Sequence, residues 1–227
     1  MSFLAFIPAR SGSTAVKNKN LVKINNKELI YWTINAAKEC KFIKKIIVST
    51  DSKKIANIAI KYGAEVPFLR PKSIAKNNSK TIDSIIHFSQ NYDYSKYKDI
   101  VLLQPTSPFR TKFTLNKSIQ FYIKNKFNSL VSVSLSKKNK DLLFKIKRNK
   151  IYKSSFLSLN NKRRQDFDNY YYVNGAIYIN NMIKLQEDKK FITKNSIPFL
   201  MDPIESIDID DIYDLELSKI IGNKILK

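Results

Sequence analysis

The feature that most constrains this chain is an alternation. Short, almost wholly apolar segments are separated by stretches of helical periodicity. Phe3–Ile7, Lys45–Ser49, Ala64–Phe68, Asp99–Leu103 and Ser129–Ser134 read as strands. Glu28–Glu39, the segment from Asp51 or Ser52 to Tyr62, Thr81–Asn91 and Thr111–Lys124 carry apolar residues at helical spacing, and Gly63 stands where a helix C-cap belongs. Strands this short and this apolar have no wet face. They predict an α/β fold in which a mostly parallel sheet is covered by helices on both sides.

The alternation breaks after Ser136. Residues 137–173 are rich in Lys, Asn and Tyr with no clear helix, and they read as a β-ribbon or arm, a candidate dimer contact. Asn174–Ile179 reads as a strand returning to the core. A short helix, a strand near Ile197–Leu200 and a helix from Asp210 to Ile221 follow. With no internal repeat and no linker, residues 1–227 read as one domain with an excursion.

Composition narrows the function classes. Runs such as Ile100–Leu103 are too short to span a bilayer, so no membrane partner is expected. Phe3–Ile7 lacks the basic flank and cleavage site of a signal peptide. One cysteine, Cys40, excludes an internal disulfide, and with one histidine, His87, it excludes a Cys/His zinc cluster. The expected setting is reducing and cytoplasmic. Lys+Arg total 41 against 19 Asp+Glu, a formal charge of +22, but the lysines are spread over every segment rather than gathered in one stripe. Only six of those 41 are arginine, and the chain has only four glycines. In such a chain a retained arginine marks a need for a planar two-pronged donor, and a retained glycine marks backbone that cannot carry a side chain.

In an open α/β sheet, ligands bind beyond the carboxyl ends of the strands, so the loops leaving the strands carry the chemistry. Pro8–Asn20 leaves the first strand with Arg10, Ser11, Gly12, Ser13, Lys17 and Lys19. Hydroxyls, backbone N–H groups and fixed cations suit a polyphosphate, although the Gly-Lys-Ser/Thr ending of a Walker loop is missing. The competing reading is a polar surface loop. Leu102–Arg110 contains two prolines that stiffen a turn presenting Gln104, Thr106, Ser107 and Arg110, or else merely lead into a helix capped by Thr111. Arg163–Tyr178 pairs two arginines in an arginine-poor chain with Asn174-Gly175, which reads as a turn that lets backbone approach a ligand, or as a solvated hairpin. Ser206–Asp214 places Asp208 and Asp210 two apart. In an extended segment they share a face, and two hard oxygen donors there suit Mg²⁺; capping of the next helix by Asp210 or Asp211 is compatible with this.

Taken together, these segments resemble the acylneuraminate cytidylyltransferase family, the CMP-sialic acid synthetases. The resemblance is carried by Ile7–Ser13, Lys19–Leu21, Trp32–Ala37, Ile47–Asp51, Tyr62–Phe68, Arg70-Pro71, Leu102–Pro108, Arg164-Gln165, Asn174–Tyr178 and Ile207–Asp210, in order over almost the whole chain. It implies a Rossmann-like, GT-A-like nucleotidyltransferase fold with a β-ribbon dimerisation arm, and a homodimer. The implied reaction joins CTP to a nine-carbon 2-keto sugar acid and releases pyrophosphate, with Mg²⁺ or Mn²⁺ as cofactor. By the same resemblance, Arg10, Ser11, Gly12, Ser13, Lys19 and Asn20 hold the triphosphate and ribose, and Arg70, Ser79 and Thr81 read cytosine. Gln104, Thr106, Ser107, Arg164, Gln165, Asn174 and Gly175 form the sugar-acid side. Asp208 and Asp210 take the metal. Arg10, Lys19, Gln104, Asp208 and Asp210 are the implied catalytic set.

Three positions, in two places, depart from the family pattern. The loop reads Gly12-Ser13-Thr14-Ala15 where the family has Gly-Ser-Lys-Gly, so a phosphate-facing lysine is missing, and Lys17 is the neighbouring cation that could reach in its place. Asn77 stands where the family has Asp. The resemblance then implies a working but slow enzyme, with a disabled homologue acting as a scaffold as one alternative. The sugar acid is left open among N-acetylneuraminate, legionaminate and pseudaminate types. The Gln-Pro-Thr-Ser-Pro and Asn-Gly-Ala-Ile-Tyr elements argue against the eight-carbon 3-deoxy-manno-octulosonate. A different class, a single-strand nucleic-acid binder using the basic, aromatic stretch Lys137–Lys153, explains none of the loop residues.

Overall fold

The computed structural model describes residues 1–137, 144–147, 150–153 and 169–226. Its centre is a six-stranded sheet. In chain order its strands are β1 (Phe3–Pro8), β4 (Ile43–Ser49), β5 (Asp99–Leu103), β6 (Ser129–Leu135), β9 (Tyr171–Asn181) and β10 (Ile197–Leu200), arranged in space as β10-β6-β9-β5-β1-β4, while the two-residue strands β2 (Lys23–Ile24) and β3 (Lys27–Glu28) pair separately with each other. β1 runs parallel to both β4 and β5, and β10 runs parallel to β6. β9 lies antiparallel between β5 and β6. The carboxyl ends of β1, β4 and β5 therefore meet at one edge, and the first half of β9 reaches the same edge.

The alternation along β1 divides the core. Phe3, Ala5 and Ile7 point to one face, where helices α1 (Leu29–Lys38) and α4 (Lys112–Asn125) pack. Leu4 and Phe6 point to the other, with α3 (Thr81–Asn91) and α5 (Met182–Asp188). Phe6 meets Phe88 of α3 with ring centroids 5.5 Å apart. Each such side chain contributes about 1.5–3 kcal/mol when fully buried. Both faces are dry, which is why the strands read as unbroken apolar runs.

Local signals set the helix ends. Ser52 caps α2 (Lys53–Lys61) by accepting from the Ile55 N–H, and Thr111 caps α4 by accepting from the Thr114 N–H. The C-terminal helix α6 (Ile212–Ile225) starts at Asp211, whose carboxylate accepts from the Asp214 N–H. Gly222 lets α6 close on the chain before α1, because a methyl there would sit 2.4 Å from Ile24 Cγ2.

Two expectations need correction. Ala64–Phe68 is not a strand. Only Glu65 pairs with β4, through Val48 N–H to Glu65 O (2.9 Å) and Glu65 N–H to Ile46 O (2.8 Å). Pro67 then removes the next donor and turns the chain away. The returning strand begins at Tyr171 rather than Asn174, so Asn174-Gly175 lies inside β9 and not in a turn. Gly175 has φ +77° beside a register shift in the β6–β9 ladder, a bulge that only glycine enters without strain. The expected ribbon is present as β7 (Phe144–Lys147) paired antiparallel with β8 (Lys150–Lys153).

Candidate active site

A cleft of about 380 Å³ opens over the carboxyl ends of β1 and β5. The loop after β1 forms one wall. The Ala9 N–H donates to Ser49 O at 2.9 Å, which carries Arg10 to the cleft edge. Arg10 Nη1 donates to Asn77 Oδ1 at 2.6 Å, so its partner at this position is neutral. Asn20 is buried and donates its amide to Arg10 O at 2.9 Å. Ser13, Thr14, Ala15, Lys19 and Asn20 complete this wall.

Ser11 and Gly12 are not among the residues that line the cleft. Ser11 gives its backbone N–H and its hydroxyl to the two oxygens of Asp51 (2.8 and 2.6 Å), while a Cβ built on Gly12 meets nothing within 4 Å. Lys17 is exposed and does not line the cleft.

Arg70 closes the floor. Its N–H donates to Thr50 O at 2.7 Å at the end of β4, and its side chain is 6% exposed. Nε and Nη2 of this guanidinium are buried with no hydrogen-bond partner among the described residues. Burial pulls its pKa down, Asp51 opposes that, and nearby Arg10 adds to it. Buried donors are almost always satisfied, so two orphaned N–H groups on a cleft floor point to an acceptor that arrives with a ligand. Ser79 and Thr81 line the same floor at the start of α3.

The loop after β5 forms the opposite wall through Gln104, Pro105 and Thr106. It is held from beneath by Arg110, which is 2% exposed. Arg110 donates to Ala176 O (2.7 Å), to Thr33 Oγ1 (2.8 Å) and to Gln104 O (3.4 Å). Burial lowers its pKa to about 9, with Glu205 and Asp208 working against that shift. Arg110 is thus a brace and not a presented ligand. Ser107 is fully buried beneath the loop and does not reach the cleft.

The aspartates arrive from the other end of the chain. The Ile209 N–H donates to Thr106 O at 2.9 Å, and the Ile209 side chain is fully buried, so Asp208 and Asp210 face the opposite way. Lys19 Nζ donates to the carbonyls of Ile209 (2.6 Å) and Asp210 (3.0 Å) and lies 4.0 Å from Asp210 Oδ1. Asp210 is exposed and lines the cleft. Asp208 is mostly buried and its Oδ1 has no partner among the described residues. Burial pushes its carboxyl up, a bond from Thr106 opposes this, and the charge of Asp210 adds to it.

Gly175 is enclosed by this set: a Cβ there would lie 3.5 Å from Gln104 Oε1 and 3.6 Å from Asp208 Oδ2. Asn174 sits deeper. Its Oδ1 accepts from Ser132 Oγ (2.5 Å), and its amide donates to Ser134 Oγ (2.9 Å) and Ser206 Oγ (3.1 Å), which ties β6, β9 and the Asp208 segment together.

A side pocket of about 310 Å³ adjoins the cleft and shares Lys80, Thr81 and Gln104 with it. Its far wall is Tyr178 and Phe191, with ring centroids 5.5 Å apart, and Lys189. Sequence reasoning did not find this wall, because Tyr178 reads as a strand residue and Phe191 lies in a loop without a motif. It also missed Asp51 as the clamp on Ser11. Arg163, Arg164 and Gln165 lie outside the described residues. Among the described residues no three His, Cys, Asp or Glu side chains gather as a metal cluster.

The chain matches known proteins over nearly its full length. The family model described as "Cytidylyltransferase" matches residues 4–220. The chain is 35% identical to N-acylneuraminate cytidylyltransferase of Escherichia coli over 97% of its own length and 52% of that protein, so it spans about half of that relative. It is 35% identical to CMP-N,N'-diacetyllegionaminic acid synthase of Legionella pneumophila over 96% of its length and 95% of that protein. It is 27% identical to pseudaminic acid cytidylyltransferase of Campylobacter jejuni over 97% and 96% of the two chains. In fold it is similar to CMP:2-keto-3-deoxy-manno-octonic acid synthetase complexed with CTP, with a TM-score of 0.75 and 14% identity over all of both chains. Together with the cationic cleft at the head of the sheet, these matches place the chain in the cytidylyltransferase family.

Proposed function

We propose that this protein transfers CMP from CTP to the anomeric hydroxyl of a nine-carbon 2-keto sugar acid, releasing pyrophosphate. The observation that carries this reading is the orphaned, buried Arg70 guanidinium on the floor of a cleft walled by Arg10 and Lys19. A pyrimidine base with a carbonyl acceptor satisfies Arg70, and the triphosphate lies along the loop after β1. The adjoining pocket behind Gln104, walled by Tyr178 and Phe191, has room for a sugar. The relatives named for N-acylneuraminate, legionaminic and pseudaminic acids support a nine-carbon acid.

In the reaction the anomeric hydroxyl gives its proton to water as its oxygen attacks the α-phosphorus in line, and the bond to the bridging oxygen breaks as pyrophosphate leaves. The protein supplies position and charge. Arg10 and Lys19 hold the negative leaving group. Gln104, fixed by its own carbonyl on Arg110, orients the sugar acid. Asp208 and Asp210 are the residues that would hold Mg²⁺. The unpartnered Asp208 Oδ1 fits a cation, and two carboxylates leave room for the waters and phosphate oxygens that Mg²⁺ prefers. When bound, that ion offsets phosphate charge.

The exposed apolar side chains where β6 leads out and β9 leads back support a homodimer. Leu135, Tyr171, Tyr172 and Val173, with Leu200 on the edge strand, are each about half exposed. No helix among the described residues is long and apolar enough to cross a membrane, and a cytoplasmic setting accords with the substrates.

The test is pyrophosphate release by the purified protein with CTP, Mg²⁺ and a panel of nine-carbon acids, with ATP, GTP and UTP as controls. CTP-specific, acid-dependent release is expected. Asp210→Ala should lose about 100- to 1000-fold in rate, because the Lys19 bonds to backbone carbonyls keep the segment in place. Release that ignores the base, or that proceeds without any acid, rejects the reading.

A further inference from the structure

The cleft and the side pocket meet along a seam of three residues, Lys80, Thr81 and Gln104. Only Lys80 carries a charge. Its backbone is fixed at the start of α3: its N–H donates to Asp83 Oδ2 (3.2 Å) and its carbonyl accepts from the Asp83 N–H (3.1 Å). Its side chain is exposed and has no carboxylate within salt-bridge distance among the described residues.

The other cations lining the cleft, Arg10, Lys19 and Arg70, form the nucleotide's set in the reading above, with Arg10 steadied by Asn77 and Lys19 by the carbonyls of Ile209 and Asp210. Lys189 lines the side pocket but not the seam. The loop wall at Thr14 and Ala15 is uncharged, and Lys17 stands off the wall. Both substrates of the proposed reaction are anions. To bring the hydroxyl of one to the α-phosphorus of the other, the site must draw a carboxylate toward a triphosphate, and like charges at such a distance repel strongly in a partly dehydrated cleft.

We infer that Lys80 is the seam cation of this enzyme, a binding and positioning residue that neutralises the repulsion between nucleotide and sugar acid where the two pockets join. The inference rests on the reading proposed above and adds to it a residue whose role is specific to the second substrate. CTP meets its own set at Arg70, Arg10 and Lys19 whether or not Lys80 is present. The acid meets that charge across the seam and depends on Lys80.

The experiment compares wild type, Lys80→Ala, Lys80→Arg, Lys80→Glu and, as a surface-charge control, Lys17→Ala. CTP affinity is measured by calorimetry and steady-state kinetics by pyrophosphate release, at low and moderate salt. Lys80→Ala should raise the KM for the acid about fivefold while changing CTP affinity much less. Lys80→Arg should restore most of the loss and Lys80→Glu should deepen it. Lys17→Ala should match wild type. The gap between wild type and Lys80→Ala should narrow as salt rises, since an exposed charge is screened.

A purely structural role at the helix start would instead lower thermal stability and impair Lys80→Arg as much as Lys80→Ala, with no salt dependence, and that result overturns the inference. So does an unchanged acid KM in an active Lys80→Ala. A wild-type protein that binds CTP but releases no pyrophosphate with any acid overturns the underlying reading, and the inference with it.

Discussion

The two walls of the cleft are built on opposite plans. The loop after β5 is held from within. Arg110 reaches up from the core to Ala176, Thr33 and Gln104, and the Ile209 N–H fastens Thr106 from the other side. The loop after β1 is held from without, by Asp51 on Ser11, Asn77 on Arg10 and Asn20 on the Arg10 carbonyl. In its middle, Gly12, Thr14 and Ala15 are exposed and Ser13 is half-buried. The contrast teaches where adjustment is possible. A wall with a buried charged brace has one position. A wall pinned only at its rim has more freedom to adjust.

The sharpest way to break the contrast is to remove the inner brace. Arg110→Ala leaves the Ala176 carbonyl and the Thr33 hydroxyl without their donor. It should cost about 3 kcal/mol or more of folding stability, read by denaturant unfolding, and should abolish turnover. A loss under 1 kcal/mol would mean that the loop stands without its brace.

Gly175→Ala attacks the same wall from β9. Its φ of +77° is strained for any residue with a Cβ, so a loss of about 1–2 kcal/mol is expected in the melting curve.

Asp51→Asn sharpens the other side. It weakens the clamp on Ser11 and removes the charge opposite Arg70, and should cost about 1 kcal/mol with a several-fold rise in the KM for CTP. Its pH signature has a definite sign. Burial raises the Asp51 carboxyl, but the Ser11 hydroxyl and N–H outweigh it, with Arg70 assisting, and the net pKa lies below the usual value. A depressed carboxylate contributes stability above its unfolded pKa, near 3.9, and loses it as pH falls through the folded value. Acid unfolding profiles of wild type should show that loss and Asp51→Asn should not.

The smallest effect is expected at Gly12→Ala. No atom lies within 4 Å of the added Cβ and the backbone needs no positive φ, so stability should stay within about 0.5 kcal/mol. A large loss in CTP affinity there would mean that the open loop closes tightly on its ligand.

Much of this was legible in advance, and the reason differs from residue to residue. β1 was readable because Phe3–Ile7 is apolar on both faces, and α2 and α4 because Ser52 and Thr111 are local caps. Arg10, Lys19 and Gln104 were readable as strand-end loop residues. Ala64–Phe68 reads as a strand by its apolarity, but Pro67 within it lacks the N–H that would extend the pairing beyond Glu65. Arg110 reads locally as a rare arginine presented by its turn, and nothing local reveals that Thr33 and Ala176 converge on it. Tyr178 and Phe191 were missed because their meeting joins a strand to a distant loop.

The sequence by itself determined the layers. Period and apolarity are short-range properties, and they dictated a two-faced sheet, the order of helices and strands, and the loops that could hold phosphates. Only the tertiary structure decided the assignments within those loops. It sorted Arg10 and Arg70 onto the cleft and Arg110 beneath it, left Lys17 outside, and put Lys80 on the seam between the two pockets. The physical reason is that charge, unlike periodicity, acts through space. A cation's role depends on which partners fold against it, and for Lys19 those partners are the carbonyls of Ile209 and Asp210, 190 and 191 residues away.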